Sequence, residues 1–257
     1  MKEIMGYFDP RGGSNRYKIN VDFFKKWSSE MAYVLGFLYA DGTIIDAISS
    51  RTQYIIFTSR DKEILKKIRT VMNSEHPLCI QPPRTHRHKN GIYKSRELFI
   101  LRIGSRKMFN DLVHLGVVPK KSKIAIFPKV PPHYLNHFIR GYLDGDGCVY
   151  LQKKKGKRQP VVSKKLSVIF TSGSKIFLQK LVSVLKDIGV SQDKVYNSNR
   201  AYQLRYSISD SVKLFKFLYK NVSQKIYLER KFKKFLEYFR LCPVRIDKDV
   251  KNILNNL

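Results

Sequence analysis

Apolar and polar positions follow two different periods along this chain, and the same succession of periods occurs twice. A strand-like run that ends in Thr-Ser and passes into a helical pattern reads IIFTSRDKEILKKIRTVM at 55–72 and VIFTSGSKIFLQKLVSVL at 168–185. A weaker strand-then-helix match follows in each copy, at 101–117 and 206–222. Self-similarity on this scale is typical of duplicated structural units, so the chain is predicted to contain two copies of one unit.

Each copy also begins with an apolar helical segment that ends in Asp-Gly, GFLYADG at 36–42 and GYLDGDG at 141–147, and the two Asp-Gly pairs are 105 positions apart. In order, each copy reads helix, strand, strand, helix, strand, strand, helix. This order predicts an α+β fold of two pseudo-symmetric αββαββα units. The predicted boundaries are an N-terminal arm at 1–20, a first unit at 21–128, a second unit at 129–242 and a C-terminal tail at 243–257.

Strict alternation of apolar and polar residues is clearest in the segment AYQLRYSIS at 201–209. It predicts a strand that packs on helices with one face and shows the other face to solvent. The apolar face comprises Tyr202, Leu204, Tyr206 and Ile208, and the polar face comprises Gln203, Arg205, Ser207 and Ser209. The loops that connect the strands are basic, at 82–96, 151–165 and 195–200.

The charge balance narrows the choice of partner. The 257 residues include 50 Lys and Arg against 20 Asp and Glu, a formal net charge of +30 that is spread along the chain. Such a field attracts a polyanion, with nucleic acid favoured over an anionic membrane surface. No window reaches the roughly 18 consecutive apolar residues of a membrane span, and the first residues lack the apolar core of a secretory signal. An intracellular protein is expected, in the cytoplasm, the nucleoid or an organelle.

The Cys and His residues indicate neither a disulfide framework nor a zinc site. Cys79, Cys148 and Cys242 are an odd number, are widely separated and lack CxxC spacing. Three of the six His lie in one basic stretch, where solvated positions or phosphate contacts are expected rather than metal ligation. These three are His76, His86 and His88.

Four basic strands with basic loops in each unit would make a curved ribbon of the kind that fits the major groove of DNA, which admits a two-stranded β-ribbon. Double-stranded RNA is disfavoured because its deep, narrow major groove cannot be read by side chains. Double-stranded DNA is therefore the predicted partner. The residues predicted to contact it lie on the polar strand faces and in the basic loops: Arg84, Arg87, Arg102, Lys153, Lys155, Arg158, Asn197, Asn199, Arg200, Gln203 and Arg205.

The two Asp-Gly segments need an explanation, since a carboxylate at a helix C-terminus opposes the helix dipole. Residues 28–42 are predicted to form a helix with Ser28 or Ser29 as its N-cap and Gly42 as a left-handed residue past its end. Glycine inside a helix costs about 1 kcal/mol relative to alanine, and close packing of the two helices against each other would offset that cost. The small residues predicted at this interface are Gly36, Ala40, Gly141 and Gly145.

Helices packed in that way would place Asp41 and Asp146 close together. Two neighbouring carboxylates repel each other unless a cation lies between them, and an environment of oxygen atoms without His or Cys favours Mg²⁺. The backbone carbonyls of Gly42 or Ala40 and of Gly145 are predicted as further ligands, with phosphodiester oxygens completing the shell. A divalent cation held beside DNA would activate water and stabilise the leaving oxygen.

Basic groups are expected beside such a site, to orient water or to stabilise charge. The repeat spacing pairs Lys120 with Lys225, and Lys121 is an equal rival of Lys120. Asp144 has Tyr39 as its counterpart in the first copy, so it is not assigned to the symmetric pair of acids. A single Asp-Gly turn after a helix is common, and the duplication of the whole pattern in so basic a chain favours the catalytic interpretation.

The segments VLGFLYADG at 34–42, VVPKKSKIAIFPKVP at 117–131 and IRGYLDGDG at 139–147 resemble the LAGLIDADG homing endonucleases, in the single-chain form with two motifs. The resemblance implies the homing endonuclease fold, packed through the two motif helices, and a monomer with internal pseudo-two-fold symmetry. It implies hydrolysis of one phosphodiester per strand at a long asymmetric target, which leaves a staggered break. It also implies Mg²⁺ as cofactor, with Mn²⁺ able to substitute and Ca²⁺ bound without cleavage.

The same resemblance gives the acidic position of each motif to Asp41 and Asp146, and the basic active-site positions to Lys120 or Lys121 and to Lys225. Tyr39 stands where the family motif has an acid, and the family tolerates this because the position is structural. The family also includes intron RNA maturases and cleavage-inactive regulators that bind DNA, which stay open as alternatives. The presence of both acids favours the nuclease.

Overall fold

The structure is a computed structural model that describes residues 17–47, 52–88, 91–154, 162–222 and 226–257. The described residues group into two compact units. The first contains residues 17–27 and 41–119, and the second contains residues 28–40 and 120–257. All residues of the first motif helix except the last, Asp41, therefore belong to the second unit.

In its described residues, the first unit is an antiparallel sheet covered on one face by two helices. Its sheet has the strand order β1-β2-β6-β3, and β4 and β5 form a separate two-stranded hairpin. The elements are β1 (Gly42–Ala47), β2 (Thr52–Ser59), α2 (Lys62–Val71), β3 (Leu78–Gln81), β4 (Thr85–His88), β5 (Gly91–Lys94), β6 (Leu98–Gly104) and α3 (Arg106–His114). The helix α1 (Ser29–Asp41) runs directly into β1.

The second unit repeats this succession and adds two helices after it. Its sheet has the strand order β7-β8-β10-β9. The elements are α4 (Leu135–Asp146), β7 (Gly147–Lys154), β8 (Val162–Ser172), α5 (Lys175–Lys186), β9 (Val195–Ser198), β10 (Ala201–Ser207), α6 (Ile208–Tyr219), α7 (Glu229–Leu241) and α8 (Lys248–Asn255). When α1 is counted as the first helix of the first copy and α4 as that of the second, both copies have the predicted order αββαββα. The predicted fold class is therefore confirmed.

The strand registers show which residues of the two copies are equivalent. Gly42 pairs with Phe57 in the first sheet, and Gly147 pairs with Phe170 in the second. The sequence offset of 105 is wrong by two residues for the last strand of each copy. Arg102 lies opposite Ile56, and Arg205 lies opposite the equivalent Ile169, an offset of 103. Strand pairing fixes the equivalence, because loops of different length shift the sequence spacing.

The core of each unit lies between the sheet and its helices, as the alternating pattern predicted. In β10, Leu204 and Tyr206 are buried, whereas Arg205 and Ser207 are exposed. In the first unit, the amphipathic helix α2 buries Ile64, Leu65 and Ile68. Each fully buried aliphatic side chain contributes about 1.5–3 kcal/mol. On the opposite face lie Arg102 in the first sheet and Arg205 in the second.

Three expectations need correction. Gly42 is not a left-handed cap, because pairing with Phe57 makes it the first residue of β1, and Gly147 is likewise extended, with φ −93° and ψ 171°. His76 is buried rather than solvated, with its ring 5.2 Å from that of Tyr17. The stretch called a tail contains α8, which is N-capped by Asp247 and buries Val250.

Cys79, Cys148 and Cys242 are free thiols. In the described part of the chain, no helix combines the length and the apolar character needed to span a bilayer.

Candidate active site at the ends of two packed helices

Helix α1 packs against α4 through two glycines. A Cβ atom added at Gly36 would overlap the carbonyl oxygen of Phe138 and lie 2.8 Å from its carbonyl carbon. A Cβ atom added at Gly141 would overlap the carbonyl of Tyr33 in the same way and lie 2.9 Å from the backbone nitrogen of Phe37. The two backbones are therefore in direct contact where the helices cross, which only glycine permits.

The residues around the crossing explain why α1 is helical and buried at once. Nine consecutive residues, from Met31 to Tyr39, are buried, so the helix is enclosed on all sides. Ser28 caps its first turn, with its Oγ accepting a hydrogen bond from Met31 N at 3.1 Å. Ala40 and Gly145, the other two small residues of the pattern, are half-buried near the ends of their helices.

Both motif helices end in the predicted acid and pass without a loop into a strand. Asp41 is half-buried and is the last residue of α1, and its carbonyl oxygen accepts a hydrogen bond from Thr58 Oγ1 at 3.0 Å. Asp146 is exposed and is the last residue of α4. Each acid lies five residues after the glycine of the crossing, which is about 7.5 Å along a helix axis.

A buried lysine occupies the end of α4. Lys231 of α7 is 3% exposed, and its Nζ donates to the carbonyl oxygens of Leu143, Asp144 and Gly145 at 2.6, 2.7 and 3.3 Å. Helix ends leave carbonyl groups without partners, and a cation there also complements the helix dipole. The ammonium group therefore offsets the electrostatic cost of ending this helix in an acid. A metal at the Gly145 carbonyl would share that oxygen with Lys231.

Asp144 is a structural acid. It is 1% exposed, and its Oδ2 accepts from Tyr33 Oη at 2.7 Å and from Leu228 N at 2.8 Å. Burial raises the pKa of Asp144, and the charge of Lys231 is the largest effect that opposes the rise. Asp144 thus links α1, α4 and the start of α7, in keeping with its exclusion from the symmetric pair.

Arg140 forms a second buried link from α4. It is completely buried and donates to the carbonyl oxygens of Leu218 at 2.7 Å and Ile226 at 3.3 Å. Its third contact is His137 Nδ1 at 3.0 Å. Burial lowers the pKa of His137 to about 4, and the charge of Arg140 contributes to the decrease.

The predicted lysines differ in their surroundings. Lys120 is exposed and has a left-handed backbone, with φ 56° and ψ 31°. Lys121 is buried, at 6% exposure, and begins a 3₁₀ turn, Lys121–Lys123. Lys225 lies outside the described residues, but its neighbour Ile226 is buried and held by Arg140. Nothing in the sequence favoured Lys120 over Lys121, whereas the structure shows that Lys120 is exposed and Lys121 is buried.

Among the predicted DNA contacts in the first unit, Arg84 and Arg87 are exposed beside and within β4. Arg102 is half-buried on β6, and its guanidinium carbon lies 3.8 Å from the centroid of the Tyr54 ring. This distance corresponds to a cation–π contact. It fixes Arg102 on the sheet face opposite the helices.

In the second unit, Arg205 Nε and Nη2 both donate to Gln203 Oε1, at 3.0 and 2.7 Å. Lys153 forms an ion pair with Glu237 of α7. Three residues in and after β9 are exposed, and the last of them has a left-handed backbone, with φ 58°. They are Asn197, Asn199 and Arg200. Lys155 and Arg158 lie outside the described residues.

Two of the residues that shape the site, Lys231 and Arg140, were missed in the sequence. Lys231 carries a recognisable signal, because it occupies the same helical stripe as the buried Phe235, Tyr238 and Phe239. A lysine on the apolar face of a helix is rarely fully buried unless its charge has partners. Arg140 has a similar signal inside an otherwise buried helix.

Donors for a metal are few at these helix ends. In the ranges that the structure describes, no three His, Cys, Asp or Glu side chains come together as a metal-binding group. The acids at the helix ends supply hard oxygen atoms, which suit Mg²⁺ in a site completed by water and substrate phosphates. One carboxylate at each helix end is too few donors for a closed, all-protein metal site, so water and phosphate oxygens would have to complete the coordination.

Comparison with known proteins agrees with the motifs. A family model described as a LAGLIDADG-like domain matches residues 133–239. This stretch of the chain is therefore similar to LAGLIDADG-like domains. The resemblance that the motifs indicated is thereby confirmed for the second unit, because the motif helix α4 and the sheet β7-β8-β10-β9 lie within the matched range. No curated protein sequence matches the chain.

Solved structures extend the likeness to both units. The LAGLIDADG meganuclease I-AabMI, bound to uncleaved DNA, is 16% identical with a TM-score of 0.52, and the match covers 87% of this chain and 96% of that one. A mutant of I-SmaMI is 11% identical with a TM-score of 0.50, covering 90% and 99%. At these identities the likeness shows the fold, which is that of the LAGLIDADG homing endonucleases.

Proposed function

We propose that this LAGLIDADG protein is a site-specific endonuclease that hydrolyses one phosphodiester in each strand of a long, asymmetric double-stranded DNA target. The observation that carries the proposal is the pair of matched helix ends. Two helices cross at Gly36 and Gly141, and each ends five residues later in an acid. Duplicated acids at that spacing have no structural need, since an acid opposes the dipole of the helix it ends.

Asp41 and Asp146 are the proposed metal ligands, together with the backbone carbonyls of Gly42 or Ala40 and of Gly145. Mg²⁺ would supply an activated water and stabilise the charge on the leaving oxygen. Asp41 is held by the hydrogen bond from Thr58 to its carbonyl, and Asp146 by the capped end of α4. Their role is to fix carboxylate oxygens beside the scissile phosphates.

The lysines supply positive charge near the phosphates. Lys120 is exposed to solvent, whereas Lys121 is largely enclosed. Lys120, with Lys225 as its counterpart, is therefore the better candidate for orienting water or neutralising the phosphate charge. Lys121 is the better candidate for a fixed position next to the protein core.

The polar faces of the two sheets are the proposed DNA-binding surface. Arg102 and Arg205 occupy equivalent register positions, one in each unit, and lie on the face opposite the core. A bidentate arginine contact to guanine is the commonest specific contact in the major groove. The net charge of +30 favours phosphate contacts along a long site. A single chain with duplicated units fits a target whose halves differ.

The test begins with selection of the target from a randomised duplex pool in Ca²⁺, followed by cleavage of a plasmid carrying that target in Mg²⁺. We expect a sequence-specific double-strand break that a chelator abolishes. Asp41→Asn and Asp146→Asn should each lower the cleavage rate at least about a hundredfold, and they should still bind the target. Asp46→Asn is the matched control, because Asp46 is exposed on β1, and should cleave normally.

Two outcomes would contradict the proposal. Specific binding without cleavage at any divalent-ion concentration would favour a cleavage-inactive regulator. Tighter binding to a structured intron RNA than to any selected duplex would favour a maturase.

A further inference from the structure

The two acid-bearing helix ends are built differently. At the end of α1, the carbonyl of Asp41 meets a neutral hydroxyl, that of Thr58. At the end of α4, three successive carbonyls meet the ammonium group of Lys231. The Thr residue of the second unit equivalent to Thr58 is Thr171, whose own carbonyl instead accepts from Tyr142 Oη at 2.7 Å.

The geometry points to Lys231 as a positioning residue for Asp146, an inference that rests on the proposed function. Lys231 uses its three N–H donors on the carbonyls of Leu143, Asp144 and Gly145, the residues just before Asp146. The Leu143 carbonyl also accepts a hydrogen bond from Gly147 N. Hydrogen bonds therefore hold the backbone both before and after Asp146. The ammonium group thus holds the turn from which Asp146 projects.

The surroundings of Lys231 make this contact hard to replace. Lys231 is 3% exposed, and the carboxylate of Asp144 beside it is 1% exposed. Removal of the ammonium would leave buried carbonyls short of donors and a buried carboxylate without its main opposite charge, which is strongly unfavourable. The last turn of α4 is the part that can open to solvent to relieve this cost. Opening would release Asp146, while the rest of α4 stays packed on α1.

The role is specific to the second unit. Asp146 is exposed, whereas Asp41 is half-buried, so Asp146 has less surrounding structure to hold it. A sheet residue serves the first helix end, and an added helix, α7, serves the second. Helix α7 thereby has a function beyond covering β7: it carries the group that fixes one of the two acids.

Hydrogen–deuterium exchange of the whole protein tests the positioning directly. In Lys231→Met, which keeps the length and removes the charge, we expect the amides of 143–147 to exchange at least about tenfold faster than in the wild type. The amides of 137–141 should keep their protection. Lys231→Arg should recover most of the protection, and Lys233→Met, the same change on the exposed side of α7, should have no effect.

Cleavage kinetics supply the functional readout. Under single-turnover conditions, Lys231→Met should lower the cleavage rate about tenfold or more, with target affinity in Ca²⁺ within about twofold of the wild type. Lys231→Arg should restore the rate to within a few-fold. A residue with only a structural role would lower affinity and rate together.

Several results would overturn the inference. These are unchanged exchange at 143–147 in Lys231→Met, a wild-type cleavage rate, or a parallel loss of affinity and rate. If Lys231→Met does not fold, Lys231→Met with Asp144→Asn removes both buried charges and serves in the same measurements. If the wild type binds a target and never cleaves, the proposed function fails, and the exchange result alone decides the role of Lys231.

Discussion

The first and second units share one strand order and one register, yet they secure their motif acids by different means. The first relies on a strand residue, Thr58, and the second on a lysine of α7, a helix with no counterpart among the described residues of the first unit. The first unit has instead a β4–β5 hairpin inserted in the position where the second passes directly from β9 to β10. Duplication thus preserved the frame and the acids, while the supporting contacts diverged.

The helix crossing is the place where the two motif segments are most alike, and alanine substitution there is expected to have the largest effect. Gly36→Ala and Gly141→Ala should each lower stability by about 3 kcal/mol or more, because each Cβ would overlap a backbone carbonyl. The measurement is the thermal unfolding midpoint at fixed pH. Similar losses would support equal roles for the two glycines.

Gly104→Ala is the matched control for those variants. Its Cβ would meet only Thr52 Cγ2 and the Tyr54 ring at about 3.5 Å, an ordinary contact. The change should alter stability by less than about 1 kcal/mol. If Gly36→Ala or Gly141→Ala unfolded at the temperature of this control, the close crossing of α1 and α4 would be wrong.

We expect acid to lower the free energy of unfolding of both units over the same pH range, because each unit contains a buried histidine. Burial lowers the pKa of His76 and of His137 to about 4, below the usual value of about 6.5. Between these two pKa values the unfolded chain binds more protons than the folded chain. The contribution of each histidine to the free energy of unfolding is therefore complete above about pH 6.5 and is lost as the pH falls towards 4. Each histidine should contribute about 2–3 kcal/mol to the loss.

His76→Gln and His137→Gln should each flatten the dependence of the unfolding free energy on pH between 6.5 and 4. His114→Gln is the matched control, because His114 is exposed on α3. A wild-type slope in either buried-site variant would show that folding does not lower the pKa of that histidine. If the pH dependence changes in only one of the two variants, acid destabilises only the unit that contains that histidine.

The smallest expected effects distinguish the equivalent arginines. Arg102→Ala and Arg205→Ala should each weaken target binding by about 1–3 kcal/mol if they contact bases. Only Arg102→Ala should also lower stability, by about 1 kcal/mol, since Arg102 stacks on Tyr54 whereas the guanidinium of Arg205 is exposed. Target binding in Ca²⁺ and thermal unfolding measure the two effects. Unchanged binding in both variants would remove the sheet faces from the DNA-binding surface.

The sequence was sufficient to predict the repeat, the order of elements and the glycine crossing, because each leaves a periodic or duplicated pattern. It could not predict the end of α4. Lys231 lies 85 positions after Asp146 along the chain, and only the packing of α7 brings it to the helix end. The exact equivalence of Arg102 and Arg205 was also out of reach, since it depends on strand register rather than on spacing.

The most direct test of the account is a crystal structure of the protein with its selected DNA target and Mn²⁺, with the ion located by anomalous scattering. The account predicts Mn²⁺ within coordination distance of carboxylate oxygens of Asp41 and Asp146 and of the scissile phosphates. Mn²⁺ bound only elsewhere, or the two carboxylates far apart and turned away from the DNA, would contradict it.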